Sequence, residues 1–249
     1  MNAEAVVEHL VDWLRKQVAD AGASGVILGV SGGVDSAVAA VIAKKAFPDN
    51  CMALMLPCES NFMDLIHGQE LAESFDIAYS VIELDNAFNL LLRQLESYIR
   101  IEGPRGKLLR ANLKPRLRML TLYYSAQARN YLVVGTSNKS ELTVGYATKY
   151  GDNAVDLQLL GDLMKSEVYQ LAEYLQVPQR IIEKPPSGGL WEGQTDEEEM
   201  GITYDQLEQY ITNDSGDPAV VERIKRMEQK SEHKRKPVPI ALVPDIVRK

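Results

Sequence analysis

Apolar and polar positions along this chain follow two periods, and the periods take turns. Residues 3 to 19 set Val6, Val7, Leu10, Val11, Leu14 and Val18 on one stripe at helical spacing, with Glu8, Asp12, Arg15 and Lys16 opposite. That pattern predicts an amphipathic helix. Val26 to Val30 is a short unbroken apolar run, the mark of a buried strand. It stops at Ser31-Gly32-Gly33, and Asp35 opens a run through Ala37, Val38, Val41 and Ile42 that predicts a helix to about residue 46. Further strands are expected over 52–56, 78–84, 131–135 and, more briefly, 156–160. Helices are expected over 63–75, 86–98 and 165–175. Gly103-Pro104-Arg105-Gly106 breaks the alternation, and a long helix follows through Arg129. Because proline lacks an N–H, that helix should start near Lys114 or kink at Pro115. Strands alternating with helices of this length predict an α/β fold, a doubly wound parallel sheet flanked by helices.

The later chain is less regular. Thr136 to Glu141 reads as a polar loop, and the glycine-rich stretch from Gly145 to Asp152 as irregular. Pro185-Pro186-Ser187-Gly188-Gly189 and the acidic run Thr195 to Glu199 predict a long loop over about 185–200, a length that usually marks a lid. Helices near 204–212 and 217–231 precede a basic, proline-bearing tail over 232–249. No internal repeat divides the chain, so residues 1–249 read as a single domain.

Composition removes several classes of function. The 45% hydrophobic share is ordinary for a globular protein, and no apolar run approaches a membrane span. Met1 to Glu8 carries acids and no basic region, so neither a signal peptide nor an anchor is expected, and the expected location is cytoplasmic. Cys51 and Cys58 form neither a disulfide framework nor a zinc spacing and are expected to be buried thiols. A net charge of −8 argues against a nucleic-acid partner, although local basic residues can still hold a small anion.

The candidate chemistry gathers at the strand ends. In doubly wound sheets ligands sit beyond the carboxyl ends of the strands, where the Ser31 loop, Pro57-Cys58-Glu59 and the later loops would meet. Strand, glycine turn and helix start together make an anion site: Gly32 and Gly33 admit a close approach, the first helical N–H groups point at the ligand, and Ser31 and Ser36 add hydroxyls. Asp35 would repel phosphate unless a divalent cation lay between them. Neither GxxxxGK[ST] nor GxGxxG is present. Asp35 and Glu141 each follow a predicted strand, and two hard oxygen ligands of that kind suit Mg²⁺ bridging phosphates. A helix N-terminus contributes about 0.3–1 kcal/mol, ~2 at most, too little to hold a triphosphate alone. Lys165, opening a helix, is the candidate for the remaining charge.

Ser31-Gly32-Gly33-Val34-Asp35-Ser36 after a strand resembles the pyrophosphate loop of the N-type ATP pyrophosphatases, which split ATP into AMP and pyrophosphate to activate a carboxyl or carbonyl oxygen. Gly135 to Glu141, Gly145-Tyr146, Thr148 to Asp152, Lys184 to Ser187, Gln194 to Glu197 and His233-Lys234-Arg235 are similar to motifs of the NAD synthetase family, in the family's order. One departure is Pro115, where that family usually has alanine. The resemblance implies an adenine-nucleotide alpha-hydrolase-like (Rossmann-like) fold. It also implies ATP-dependent amidation of deamido-NAD (nicotinic acid adenine dinucleotide) by ammonia through an acyl adenylate, giving NAD, AMP and pyrophosphate. By the same resemblance, ATP would be held by Gly29, Val30, Ser31, Gly32, Gly33, Val34, Asp35, Ser36, Thr136, Lys165 and Ser187. Asp35, Lys165 and Ser187 would serve catalysis, and Asp35 with Glu141 would hold Mg²⁺. Arg116, Lys149, Asp156, His233 and Lys234 would hold deamido-NAD. The family forms homodimers with the dinucleotide site at the seam, which the apolar face after Pro115 (Leu117, Leu120, Tyr124) suits. The chain leaves no room for a fused glutaminase, so free ammonia is the expected donor.

Two rival readings remain. A related pyrophosphatase, such as a GMP synthetase core or a tRNA-thiolating enzyme, would share the loop. Thiolation, however, calls for reactive cysteines and a basic face. A regulatory module that holds ATP without turnover would not need Asp35, Glu141 and Lys165 together.

Overall fold

The computed structural model describes residues 1–191, 193–244 and 247–248. Glu192, in the expected lid, and Asp245, Ile246 and Lys249, in the expected tail, lie outside the described residues. The first half of the chain runs α1 (Ala3–Asp20), β1 (Gly25–Gly29), α2 (Val34–Ala46), β2 (Cys51–Met55), α3 (Phe62–Ser74), β3 (Ala78–Val81) and α4 (Asp85–Tyr98). The second runs α5 (Gly103–Gln127), β4 (Tyr131–Gly135), α6 (Lys139–Val144), β5 (Leu157–Gln158), α7 (Lys165–Tyr174), α8 (Gln179–Ile182), α9 (Asp196–Met200), α10 (Tyr204–Asn213) and α11 (Pro218–Arg235).

The sheet is parallel throughout, in the order β3-β2-β1-β4-β5. β1 lies at its centre, with Val26 opposite Cys51 on one side and Leu132 on the other. The chain runs outward from β1 through β2 to β3, then crosses back to add β4 and β5. The carboxyl ends of β1 and β4 therefore diverge, and the crevice between them is where such sheets bind ligands.

Strand periodicity divides the core. Val26 and Leu28 face a cluster with Leu14 of α1, Val38 of α2 and Leu171 of α7. Ile27 between them faces the opposite cluster with Leu54, Val133 and Phe88 of α4. Each such side chain, fully buried, contributes about 1.5–3 kcal/mol. A third cluster joins Val144 of α6, Met200 of α9, Leu207 of α10 and Ile224 of α11, and so builds a helical annex beside the carboxyl end of β4.

Four expectations are corrected. Asn138 to Val144 is not an open polar loop: Asn138 Oδ1 accepts from the Glu141 amide, and Glu141 Oε2 accepts from the Asn138 amide, a capping box that starts α6. α5 begins at Gly103, not near Lys114, because proline in the first turn fits a helix start rather than ending one. It also continues through Pro115, whose missing N–H leaves only the Ala111 carbonyl without its helical donor. The expected 185–200 loop contains α9 and is braced, with Asp196 N donating to the Pro186 carbonyl and Lys114 Nζ to that of Leu190. α11 reaches Arg235, so His233 and Lys234 stand on its last turn and not in a tail. Both cysteines are buried, and burial pushes Cys51 up to about 12 and Cys58 to about 11. Among the described residues, no helix is long and apolar enough to cross a membrane.

Candidate active site

Above the β1–β4 crevice opens a cavity of about 650 Å³. Its floor is the β1–α2 turn, which must bend sharply because a strand has to feed a helix within four residues. Gly32 makes the bend at φ 73°, and any Cβ there would be driven into the Asp64 carbonyl of α3. The two serines fasten the turn from within. Ser36 Oγ donates to the Gly33 carbonyl at 2.9 Å, accepts from Ser31 N at 3.1 Å and lies 3.1 Å from Ser31 Oγ. Gly33 caps α2 without any side-chain bond to the helix, so the positive end of α2 is presented to the cavity.

Asp35, in the first turn of α2, meets two partners from later in the chain. Asn138 Nδ2 donates to its Oδ1 at 2.8 Å, and Lys165 Nζ lies 2.5 Å from its Oδ2. Glu141 Oε1 lies 3.5 Å from the same ammonium. Asn138 is completely buried and Lys165 nearly so. Burial works to lower the Lys165 pKa, but Asp35 and Glu141 raise it further, and it stays a cation. Burial, with the Asp35 charge, pushes Glu141 up to about 8. Two carboxyl groups thus share one ammonium, and a third, Asp196 at the start of α9, faces the same group; burial raises its pKa while Lys165 lowers it.

Most of the residues singled out from sequence meet here. Gly29, Val30, Ser31, Gly33, Val34, Asp35 and Ser36 line the cavity from β1 and α2, and Thr136 and Glu141 from the β4 side. Lys165, Ser187, Arg116, Lys149, His233 and Lys234 line it as well. Gly32 stands behind the loop against α3. Arg116 Nε and Nη2 donate to the Lys149 carbonyl at 3.3 and 3.2 Å, and Lys234 Nζ donates to the carbonyls of Gly145 and Ala147. Asp156 is not brought to this cavity. It is exposed at the sheet edge, accepting from Tyr123 Oη at 3.1 Å and from Val133 N at 2.8 Å.

Sequence reading missed Asn138 and Asp196. Asn138 carried a signal, since N-x-x-E is a capping pattern. Asp196 was visible as one acid in an acidic run and within the Gln194 to Glu197 stretch that resembles a family motif, but it was given no role.

The donor set bears on a metal. Among the described residues, no group of three or more His, Cys, Asp or Glu is placed to hold a metal ion. The carboxylates of Asp35 and Glu141 would leave the remaining positions to phosphate oxygens and water, which is how Mg²⁺ is usually bound at phosphate sites. The residues present fit that ion.

The family model of NAD synthase matches residues 6–238. The NH(3)-dependent NAD(+) synthetase of Syntrophomonas wolfei is 62% identical over 248 residues, covering 100% of both chains. That of Archaeoglobus fulgidus is 44% identical, covering 99% of this chain and 100% of the other. Among solved structures, NMN synthetase from Francisella tularensis superposes with a TM-score of 0.90 at 37% identity, covering 98% of this chain and 99% of that one. NH3-dependent NAD synthetase from Campylobacter jejuni, in complex with the nitrate ion, gives a TM-score of 0.81 at 31% identity, covering 97% and 100%.

Proposed function

Since the chain belongs to the NAD synthase family, we propose that its β1–β4 cavity performs the ATP-dependent amidation of deamido-NAD with ammonia. The protein is a ligase: it forms a C–N bond, with ATP as co-substrate. The observation that carries this reading is the meeting of Asp35, Lys165 and Glu141 behind a glycine turn at the switch point of the sheet.

The chemistry follows from what a carboxylate lacks. Its leaving group would be oxide, so ammonia cannot displace it. Attack of the nicotinate carboxylate on the α-phosphorus of ATP expels pyrophosphate and leaves an acyl adenylate. Ammonia then attacks the acyl carbon, the C–O bond to phosphate breaks, and AMP departs with the electron pair. The protein's part is positioning and charge neutralisation. The turn from Gly29 to Ser36, with the N-terminus of α2, would bind the phosphates. Lys165 would neutralise charge on them, and Thr136 and Ser187 would position the nucleotide. Held by Asp35 and Glu141, Mg²⁺ would supply the charge that lets pyrophosphate leave. The raised pKa of Glu141 supports a cation role, because a carboxylate held partly protonated by burial and by the Asp35 charge gains most from an added positive charge.

Deamido-NAD would be bound by Arg116, Lys149, His233 and Lys234, with Asp156 at a subunit seam. The seam is supported by exposed apolar side chains on α4 and α5, with Leu120 at 63% and Tyr124 at 78% exposure. A homodimer closed on this face should sediment as such, and Leu120→Asp should dissociate it.

The test is to incubate the chain with ATP, Mg²⁺, ammonia and deamido-NAD and to measure NAD and AMP. NAD formation in step with AMP is expected, and its absence would refute the reading. The likeness to NMN synthetase from Francisella tularensis makes nicotinic acid mononucleotide the second substrate to assay. The same adenylation chemistry would then act on a mononucleotide.

A further inference from the structure

Amidation needs a place for the nitrogen donor, and no residue has yet been given that role. Ammonia at neutral pH is largely ammonium, so its subsite should be an acceptor-rich, partly enclosed corner of the same cavity. One corner meets that description. Asp196 is 3% exposed and lines the cavity, and its Oδ1 is buried without a hydrogen-bond partner. Its other oxygen, Oδ2, accepts from Tyr204 Oη at 2.9 Å. A buried carboxylate oxygen left unpaired is costly, and a cationic ligand offsets that cost.

The surroundings narrow the kind of cation. Next to Asp196 stands the Tyr146 phenol, 2.7 Å from Glu199 Oε2, and Gln194 Nε2 donates to that same carboxylate oxygen at 2.6 Å. All three residues line the cavity. The corner thus combines one free carboxylate oxygen, a second carboxylate and a neutral phenol. No third carboxylate, histidine or cysteine completes a metal cluster among the described residues. Ammonium needs only acceptors around its four N–H bonds, and a free carboxylate oxygen, a second carboxylate and a phenol oxygen supply them.

We propose that Asp196, with Tyr146 and Glu199, forms the ammonium subsite of the amidation reaction. The inference rests on the amidation reading above and adds where the second substrate is held.

The experiment separates the two half-reactions. Exchange of labelled pyrophosphate into ATP, dependent on deamido-NAD, reports adenylation and needs no ammonia. In Asp196→Asn the KM for ammonium in NAD synthesis is expected to rise about 10- to 100-fold, as for loss of a charge-assisted hydrogen bond, and to change more than that exchange does. Hydroxylamine, neutral at the assay pH, should lose much less than ammonium, a ratio that a merely structural role would not change. Tyr146→Phe and Glu199→Gln, at more exposed positions, should raise the ammonium KM by about 3- to 10-fold and serve if Asp196→Asn fails to fold. An unchanged ammonium KM in all variants would overturn the assignment, as would equal losses with ammonium and hydroxylamine. Absence of exchange in the wild-type protein would instead overturn the amidation reading itself.

Discussion

Asn138→Ala tests how the metal-ligand candidates are held. The Asn138 side chain does two things. Its amide nitrogen grips Asp35 Oδ1 at 2.8 Å, and its oxygen caps α6 through the Glu141 amide at 3.0 Å. Alanine removes both. A hydrogen bond to a charged group is worth about 1.5–3 kcal/mol, and an asparagine cap about 0.5–2 kcal/mol. The sum is roughly 2–5 kcal/mol, and in a chain of this size each kcal/mol moves Tm by about 2–4 °C. Thermal unfolding followed by circular dichroism should therefore show a fall of roughly 4–20 °C. Asn138→Ser separates the two functions, because serine caps a helix about as well as asparagine but is too short to reach Asp35. It should recover the cap's share of stability while the Mg²⁺ concentration for half-maximal activity stays about tenfold above wild type. An Asn138→Ala protein melting with the wild type would refute the energetic reasoning. Full activity at wild-type Mg²⁺ in Asn138→Ser would show that the grip on Asp35 is irrelevant to function.

Four other outcomes are expected. Asp35→Asn keeps side-chain volume and loses the ligand charge, so it should fold and lose Mg²⁺-dependent adenylation; near-normal turnover would remove Asp35 from the metal role. Lys149→Ala should raise the KM for deamido-NAD more than that for ATP, and the opposite pattern would assign Lys149 to the nucleotide. Gly32→Ala puts a Cβ at φ 73° into the Asp64 carbonyl, so strain of about 1–3 kcal/mol should lower Tm and weaken ATP binding together; a variant with wild-type Tm would contradict the turn geometry. Glu141, ordinarily near 4.5 and here at about 8, is protonated more readily when folded, so its stabilising share is complete below 4.5 and is lost as pH rises through about 8. The Tm difference between wild type and Glu141→Gln should fall across that window, and a flat difference would show that Glu141 is not held in its acid form.

What sequence could reveal divides along the line between local and distant causes. β1, α2 and β4 were legible because their periodicity is a property of neighbouring residues, and the parallel order followed from strand–helix alternation. Elements were misread where a local signal had two meanings. Gly103-Pro104 reads as a break, yet proline in a first turn starts α5, and Thr136 to Glu141 is polar throughout, yet its Asn138–Glu141 spacing is a cap. The site divides in the same way. The glycine turn announces itself within six residues, but Asp35 meets Asn138 across 103 positions and Lys165 across 130. No pattern in sequence encodes those meetings; the divergence of β1 and β4 creates them. The same physics explains why Asn138 matters more than its plain polarity implied. The residue that caps α6, and so fixes where Glu141 points, also holds Asp35, so one side chain sets the relative position of two carboxylates supplied by different helices. An early start to α6 is therefore part of the site, because a helix beginning one turn later would leave Asp35 gripped by Lys165 alone.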